Sequence, residues 1–272
     1  MTTSVGFDPE FFTYSKKDMK IVPVCGLLGG TKGDPVPFEG TPEGFGYHED
    51  NVVAELNVPA AEDYYMAMEN LTNGINYMTR ELKTHGLAIR YQGQHKFDAE
   101  DLVDPKAKEF GCDPDLDAYT GGKHLRTNVP DFGNFRFAGG HIHLGGDFKC
   151  PAFVVALFAD LVLGTRLNSV SEDERKKWYG APGIFRVKDY GVEYRTPSCG
   201  WLKYEDSRYD LIQRAYALCE WLEGSTALQI KKVCDTVEWL TVREFIMTAT
   251  PSTSRSQIER IWKQARMMGC PT

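Results

Sequence analysis

The chain has 272 residues, a formal net charge of −7, and ordinary globular proportions of 42% hydrophobic and 25% charged residues. This acidic balance argues against bulk nucleic acid or an anionic membrane surface as the main partner. Seven cysteines without a CxxC pair argue against a disulfide framework and structural zinc, and the opening MTTSVGFDPE predicts no secretion signal. We therefore expect a cytoplasmic protein.

The first sixty residues predict three strands and a long loop. Segments 4–15 and 19–28 predict the first two strands, and Pro9 predicts a bulge or a sheet edge in the first of them. Segment 29–46 is dense in glycine and proline, which predicts a loop. Segment 50–59 predicts a third strand, and a proline ends it.

Helices and strands mix along the rest of the chain. An apolar stripe from Tyr64 to Leu82 steps by three and four residues and predicts a helix that ends at Gly86. Residues 98–133 are polar and predict excursions over the surface. The apolar run 152–164 is too short to span a bilayer and predicts a buried helix. The remaining predicted elements are strands at 86–93 and 135–146, a short helix near 171–178, two strands within 184–198, and helices over 205–223 and 257–268.

This order lacks the regular strand–helix alternation of a doubly wound sheet. No internal repeat and no low-complexity linker divides the chain. The sequence therefore predicts one α+β domain over residues 1–272, with helices packed on one face of a sheet.

The stretch AGGHIHLGG places two histidines on one strand. Because side chains two residues apart share a strand face, His141 and His143 are predicted to point the same way. The flanking glycines allow a ligand or another backbone to approach closely. Contact with a metal or a phosphate and a structural role for both imidazoles are two interpretations that this motif leaves open.

The same alternation of polar and apolar residues occurs in three other predicted strands. The polar pairs are Asp8 with Glu10, Glu55 with Asn57, and Glu193 with Arg195. Four such strands predict a sheet face lined by carboxylates, imidazoles and an arginine. Carboxylates with an imidazole suit Mg²⁺ or Mn²⁺. Arginines beside them, Arg195 and the upstream Arg186, suit phosphate.

Several architectures are excluded. An amidohydrolase barrel also uses HxH for metal, but it needs later histidine ligands, and all six histidines here lie at or before His143. The chain has no GxxxxGK[ST] loop, no GxGxxG after a strand and no GxSxG elbow. If the protein uses ATP, it uses another architecture.

The order of the four motifs GFDPEFF, VVAELNVP, GGHIHLGG and YGVEYRTPS resembles the glutamine-synthetase-like carboxylate–amine ligases, and most closely the amidoligase type encoded by tailed phages. The resemblance covers residues 4–205. It implies a curved, mainly antiparallel sheet with helices on the convex face and with metals and ATP on the concave face. The reaction it implies is amide formation through an acyl phosphate.

The resemblance also implies roles for individual residues. It makes Glu10, Glu55, His141 and Glu193 ligands of Mg²⁺ or Mn²⁺, with possible help from Asp8. It places His143, Asn57, Arg195 and Arg186 near the nucleotide, and Glu193, Arg195 and Arg186 in catalysis. The chain departs from the family at Asp63, which begins a helix where glutamine synthetase has a paired acid. It is also too short for that enzyme's separate N-terminal domain, so neither a dodecameric ring nor glutamate-plus-ammonia chemistry is carried over.

The leading hypothesis is therefore an ATP- and Mg²⁺-dependent ligase of a carboxylate and an amine, in the host cytoplasm if a phage encodes it. Small molecules, peptides, proteins and a modified nucleobase stay open as substrates, and a homo-oligomer stays open as the assembly. Two alternatives remain. One is a phosphagen-kinase-like phosphotransferase on a related sheet, and the other is a non-catalytic phage structural protein.

Overall fold

The computed structural model describes residues 2–108, 115–123, 133–167, 172–248 and 252–272. Its strands are β1 (Ser4–Ser15), β2 (Ile21–Val22), β3 (Val36–Pro37), β4 (Gly46–Asp50), β5 (Val53–Asn57), β6 (Leu87–Arg90), β7 (Gln94–Lys96), β8 (Leu116–Asp117), β9 (Phe135–Phe137), β10 (Gly140–Gly145), β11 (Ile184–Lys188) and β12 (Gly191–Tyr194). Its helices are α1 (Tyr64–Thr84), α2 (Ala152–Val162), α3 (Asp173–Trp178), α4 (Glu205–Gly224), α5 (Ala227–Thr236), α6 (Trp239–Met247) and α7 (Ser252–Met267).

Within these described ranges, ten strands form one antiparallel sheet. Eight of them follow the order β3-β4-β5-β1-β10-β12-β11-β8, while β2 and β6 pair with the far end of β1. Strands β7 and β9 form a separate antiparallel pair. The predicted α+β class with an antiparallel sheet is confirmed. The single domain over residues 1–272 stays a prediction.

Strand β1 lies in the centre of the sheet, so the predicted edge position at Pro9 is wrong. It pairs with β10 from Ser4 to Pro9, and the backbone nitrogen of Glu10 donates to Gly139 O at 2.9 Å. Successive residues of a strand point their backbone N–H groups to opposite sides. Because the N–H of Glu10 points to β10, the nitrogen of Pro9 points away from it. On that other side, pairing with β5 begins only at Glu10. A missing N–H donor is therefore tolerated at this position.

The two sheet faces differ in character. One face carries apolar side chains that pack against α1, α2 and α4; they include Val5, Phe7, Phe11, Leu56, Ile142, Leu144, Val192 and Tyr194. Because strand side chains alternate, the residues between these apolar ones point to the opposite face. The candidate site residues lie on that opposite face.

Several predicted bounds were wrong. The strand predicted over 19–28 is only the two-residue β2, and α2 ends at Val162, where a 3₁₀ turn follows. Helices α5 and α6 were not predicted. Part of the 98–133 segment lies outside the described residues. Much of the described part is exposed, as predicted, but Asp115 and Asp117 are buried and β8 joins the sheet.

Helix α2 carries a buried carboxyl group on its sheet-facing side. Asp160 is fully buried and accepts hydrogen bonds from the hydroxyls of Tyr194 (2.6 Å) and Tyr119 (2.8 Å). Burial raises the pKa of Asp160 to about 7, although these hydrogen bonds lower it in part. At neutral pH this carboxyl group therefore ionises at a cost to the folded state.

We expect the free energy of unfolding of Asp160→Asn, relative to that of the wild type, to increase as the pH rises. Between the unfolded pKa near 3.8 and the folded pKa near 7, the folded state binds the extra proton, so the wild type loses stability as the pH rises through this window. A shift of this size corresponds to at most about 4 kcal/mol. Urea unfolding at pH 4.5, 6 and 8 measures the difference, with Asp235→Asn on α5 as the exposed control. Parallel pH curves for Asp160→Asn and the wild type would contradict the expectation.

Candidate functional site

The strand register brings the four predicted motifs together on one sheet face. Asp8 lies opposite His141, and Glu10 lies opposite Glu55. On the next strand, Glu193 lies opposite both His143 and Arg186. The predicted polar face therefore exists, and its side chains come from β1, β5, β10, β11 and β12.

Two groups of side chains on this face have the composition of metal sites. In each group the candidate ligand atoms lie within 4.8 Å of one another; the groups are Asp8 with His143 and Glu193, and Glu10 with Asp50 and Glu55. Sequence reasoning did not find Asp50. The alternation of His48 and Asp50 in the strand GYHED was a signal that could have found it.

His141 lies between these groups. Its Nδ1 atom is 3.3 Å from Asp8 Oδ1, 3.7 Å from Glu193 Oε1 and 3.9 Å from Glu10 Oε1. The ring is buried against the backbone, because a Cβ atom at Gly139 would stand 2.1 Å from His141 Nε2. Gly139, which has no side chain, therefore leaves room for the imidazole ring of His141.

The carboxylates of this face differ in their affinity for protons. Burial alone would raise the pKa of Asp8, but His143 and His141 hold it well below its usual range. Burial likewise opposes ionisation of Glu193, yet the Arg195 guanidinium lowers its pKa far below the ordinary value. Asp8 in turn raises the pKa of His143 against the effect of burial. Asp8 and Glu193 are therefore anionic at neutral pH.

Glu55 behaves in the opposite way. Burial, together with the neighbouring carboxylates of Asp8 and Glu10, raises its pKa to about 7, while His48 Nε2, 3.4 Å from Glu55 Oε2, lowers it in part. A carboxyl group with this pKa must release a proton before it binds a cation.

We expect divalent-cation affinity to weaken below pH 7 for this reason. With one proton displaced from Glu55, affinity should fall about tenfold per pH unit below the folded pKa and level off above it. Mn²⁺ titrations between pH 5.5 and 8.5 measure the slope, and Glu55→Gln should remove this part of the pH dependence. A slope that survives in Glu55→Gln would assign the proton to another group.

Two arginines extend the site on the side away from β1. Asp115 Oδ1 lies 2.9 Å from Arg186 Nε and 3.2 Å from Arg195 Nε. Arg195 also pairs with Glu193, and Lys188 Nζ lies 2.7 Å from Glu193 Oε2. Asp115 is buried, and sequence reasoning missed it because its segment has no strand pattern.

Glu10 is held by two donors. The Gly139 backbone N–H donates to Oε2 at 2.5 Å, and the Tyr179 hydroxyl donates to Oε1 at 2.6 Å. Tyr179 follows α3 directly and was also missed at the sequence level. These bonds fix the orientation of the carboxylate while each oxygen keeps a lone pair.

A cavity of about 400 Å³ opens beside both acidic groups. Its lining comprises Ser4, Gly6, Phe7, Asp8, Lys32, Glu55, Asn57, Val58, Ala60, His143, Lys188 and Tyr190. Lys32 comes from the predicted Gly/Pro loop, so that loop borders the cavity. Asn57 lines it too, and its Oδ1 lies 3.2 Å from His48 Nδ1.

All eight predicted site residues thus lie on the same face or line this cavity, while their individual roles stay predictions. Asp63 has a structural role instead, because its side chain accepts a hydrogen bond from the backbone N–H of Met66 and caps α1. The donor set of carboxylate oxygens and imidazole nitrogens fits Mg²⁺ or Mn²⁺.

Across the described helices, none is both long and apolar enough to cross a membrane.

Residues 123–214 match the family model described as phage phiEco32-like COOH.NH2 ligase-type 2. Among solved structures, apo GmaS without ligand is similar over 98% of this chain and 70% of that chain, with 13% sequence identity and a TM-score of 0.45. No curated protein matches the chain. The family match confirms the predicted resemblance. It also supports the prediction that the protein is an enzyme of the carboxylate–amine ligase class. The matched segment contains β10, β11 and β12, which carry both histidines, Arg186 and Glu193, and it also contains Arg195, which directly follows β12.

Proposed function

We propose that this relative of the phage phiEco32-like carboxylate–amine ligases forms an amide bond with ATP and Mg²⁺ through an acyl-phosphate intermediate. One observation carries the proposal: two acidic groups and two anchored arginines share one sheet face beside a cavity. The cavity is of a size typical of small-molecule and cofactor sites.

In the proposed reaction, an oxygen of the substrate carboxylate attacks the γ-phosphorus of ATP, and the bond to ADP breaks. The amine nitrogen then attacks the acyl carbon, the bond to phosphate breaks, and the amine loses a proton. Divalent cations held by the acidic groups would supply positive charge that neutralises the negative charge of the phosphates.

The arginines supply the second source of positive charge. Asp115 Oδ1 accepts a hydrogen bond from Arg186 Nε and lies 3.2 Å from Arg195 Nε, and a terminal nitrogen of each arginine lies close to Glu193. Guanidinium groups held in advance stabilise a transferring phosphoryl group without reorganisation. Glu10, Glu55, His141 and Glu193 are the proposed metal ligands. Asp50 joins them because it completes the group around Glu10.

His143 and Asn57 are proposed to contact the nucleotide because both line the cavity. The wider role proposed is modification or tagging of a phage or host component in the host cytoplasm. The description of the matching family names a phage, which supports a phage setting for this role.

The direct test follows oxygen from the carboxylate. The protein is incubated with ATP, Mg²⁺, hydroxylamine as amine and a mixture of the twenty amino acids labelled with ¹⁸O in their carboxylates. We expect ADP, a hydroxamate, and phosphate that carries one ¹⁸O atom, all abolished by EDTA. A phosphagen-kinase-like reaction would instead give ADP and a phosphorylated acceptor without free phosphate. A hydroxamate formed together with phosphate that lacks ¹⁸O would refute the acyl-phosphate route.

A further inference from the structure

The hydroxyl of Tyr179 is the point at which three side chains of the site meet. It donates to Glu10 Oε1 at 2.6 Å. It lies 3.1 Å from Arg195 Nη2 and 3.3 Å from His141 Nε2. A phenol has one O–H donor and two lone pairs. Because its proton goes to Glu10 and arginine can only donate, the contact with His141 requires that Nε2 be the donor.

A second contact requires the same proton arrangement independently. Arg195 Nη1 lies 3.3 Å from His141 Nδ1, and a guanidinium nitrogen cannot accept a hydrogen bond. Nδ1 must therefore offer a lone pair. The competing tautomer would gain a bond from Nδ1–H to Asp8 Oδ1, at 3.3 Å, but it would lose both other contacts.

We infer that Tyr179 is a positioning residue that holds His141 as the Nε2–H tautomer and so keeps Nδ1, the ring nitrogen near the site carboxylates, unprotonated. The carboxylates that face Nδ1 are those of Asp8, Glu193 and Glu10. A histidine that ligates a metal usually donates its other ring N–H to a fixed partner, which sets the tautomer. Here the partner is a tyrosine that also orients Glu10, so one hydroxyl sets two proposed ligands.

This inference rests on the proposed function only for its consequence, which is metal binding. Tyr179 is not among the residues that line the 400 Å³ cavity. Loss of its hydroxyl should weaken cation binding and slow turnover. Because Tyr179 does not line the cavity, the KM for ATP should change less than about threefold.

The test compares Tyr179→Phe with Tyr216→Phe. Both variants delete one hydroxyl, but the hydroxyl of Tyr216 donates to the carbonyl oxygens of Ala61 and Asp63 on the helix side. Nitrogen NMR of ¹⁵N-histidine-labelled protein at pH 8, without metal, reads the tautomer, and the signal lost in His141→Gln assigns it. We expect the Nε2–H tautomer in the wild type and in Tyr216→Phe, and a partial gain of the Nδ1–H form in Tyr179→Phe, where the Arg195 contact alone still favours Nε2–H.

Mn²⁺ titration of the same proteins without ATP gives the second readout. Tyr179→Phe should bind Mn²⁺ about 10- to 100-fold more weakly, the range seen when the partner of a metal-binding histidine is removed. Thermal melting checks that both variants fold. An Nδ1–H tautomer in the wild type, or equal Mn²⁺ affinity in both variants, would overturn the inference. Because neither readout uses ATP, a protein that passes both and makes no ADP would refute the ligase alone.

Discussion

Arg195→Lys should lower the rate of ADP formation by about a thousandfold or more, at saturating ATP. An arginine that stabilises a transferring phosphoryl group contributes about 10³- to 10⁵-fold to the rate. Lysine keeps the positive charge but offers a single ammonium, so it cannot contact Glu193, Asp115 and phosphate at once. The measurement is the steady-state kcat for ADP release with ATP, Mg²⁺ and an accepted carboxylate.

The matched control is Arg214→Lys on α4, whose partner Asp210 is half exposed. This substitution should leave kcat unchanged. Because Arg195 is buried among charged partners, its replacement also costs stability. The assay therefore runs well below the melting temperature of the variant. A kcat within tenfold of the wild type in a folded Arg195→Lys protein would remove Arg195 from the proposed phosphoryl-transfer step.

The polar face could be predicted because its information is local. In a strand, a spacing of two residues alone decides which side chains share a face, and the pairs at 8 and 10, 141 and 143, and 193 and 195 all follow this rule. The order of the motifs along the chain then supplied the resemblance, which implied that the four strands share one sheet. Together they placed the carboxylates, the imidazoles and the arginines correctly on one face.

The residues that orient this face could not be predicted in the same way. Asp115 is brought under the two arginines by the pairing of β8 with β11, and Tyr179 reaches Glu10 from the end of a six-residue helix. Both contacts join residues that lie far apart in the sequence, 71 and 169 positions respectively. Neither segment has a period that predicts its partner, so only the folded chain reveals the contact.

The same reasoning explains why Asp50 was missed although a pattern was present. The strand Gly46–Asp50 alternates like its neighbours, but its polar residues resemble an exposed face when read alone. Pairing with β5 puts His48 opposite Glu55 and carries Asp50 to the acidic group. Burial and Glu10 then raise the pKa of Asp50, an effect that only the assembled sheet produces.

Glu193→Gln should abolish the metal dependence of ATP binding. Glutamine keeps the shape of the side chain but loses the charge that the proposed cation site with Asp8 and His143 requires. Calorimetry with Mg²⁺ should give an ATP affinity at least about 100-fold below the wild type, since loss of a direct ligand should exceed the 10- to 100-fold cost of losing a supporting partner. Glu238→Gln, a half-exposed acid paired with Arg260, is the control and should bind like the wild type.

The experiment in EDTA separates a metal ligand from a merely acidic neighbour. In the wild type, Glu193 lies close to Arg195, Arg186 and Lys188 and offsets part of their positive charge. Without that carboxylate the three cations face the site with less compensation, so metal-free ATP binding should stay equal or become tighter. A variant that loses affinity with and without Mg²⁺ has lost the shape of the site. A variant that loses only the Mg²⁺ enhancement identifies Glu193 as a ligand.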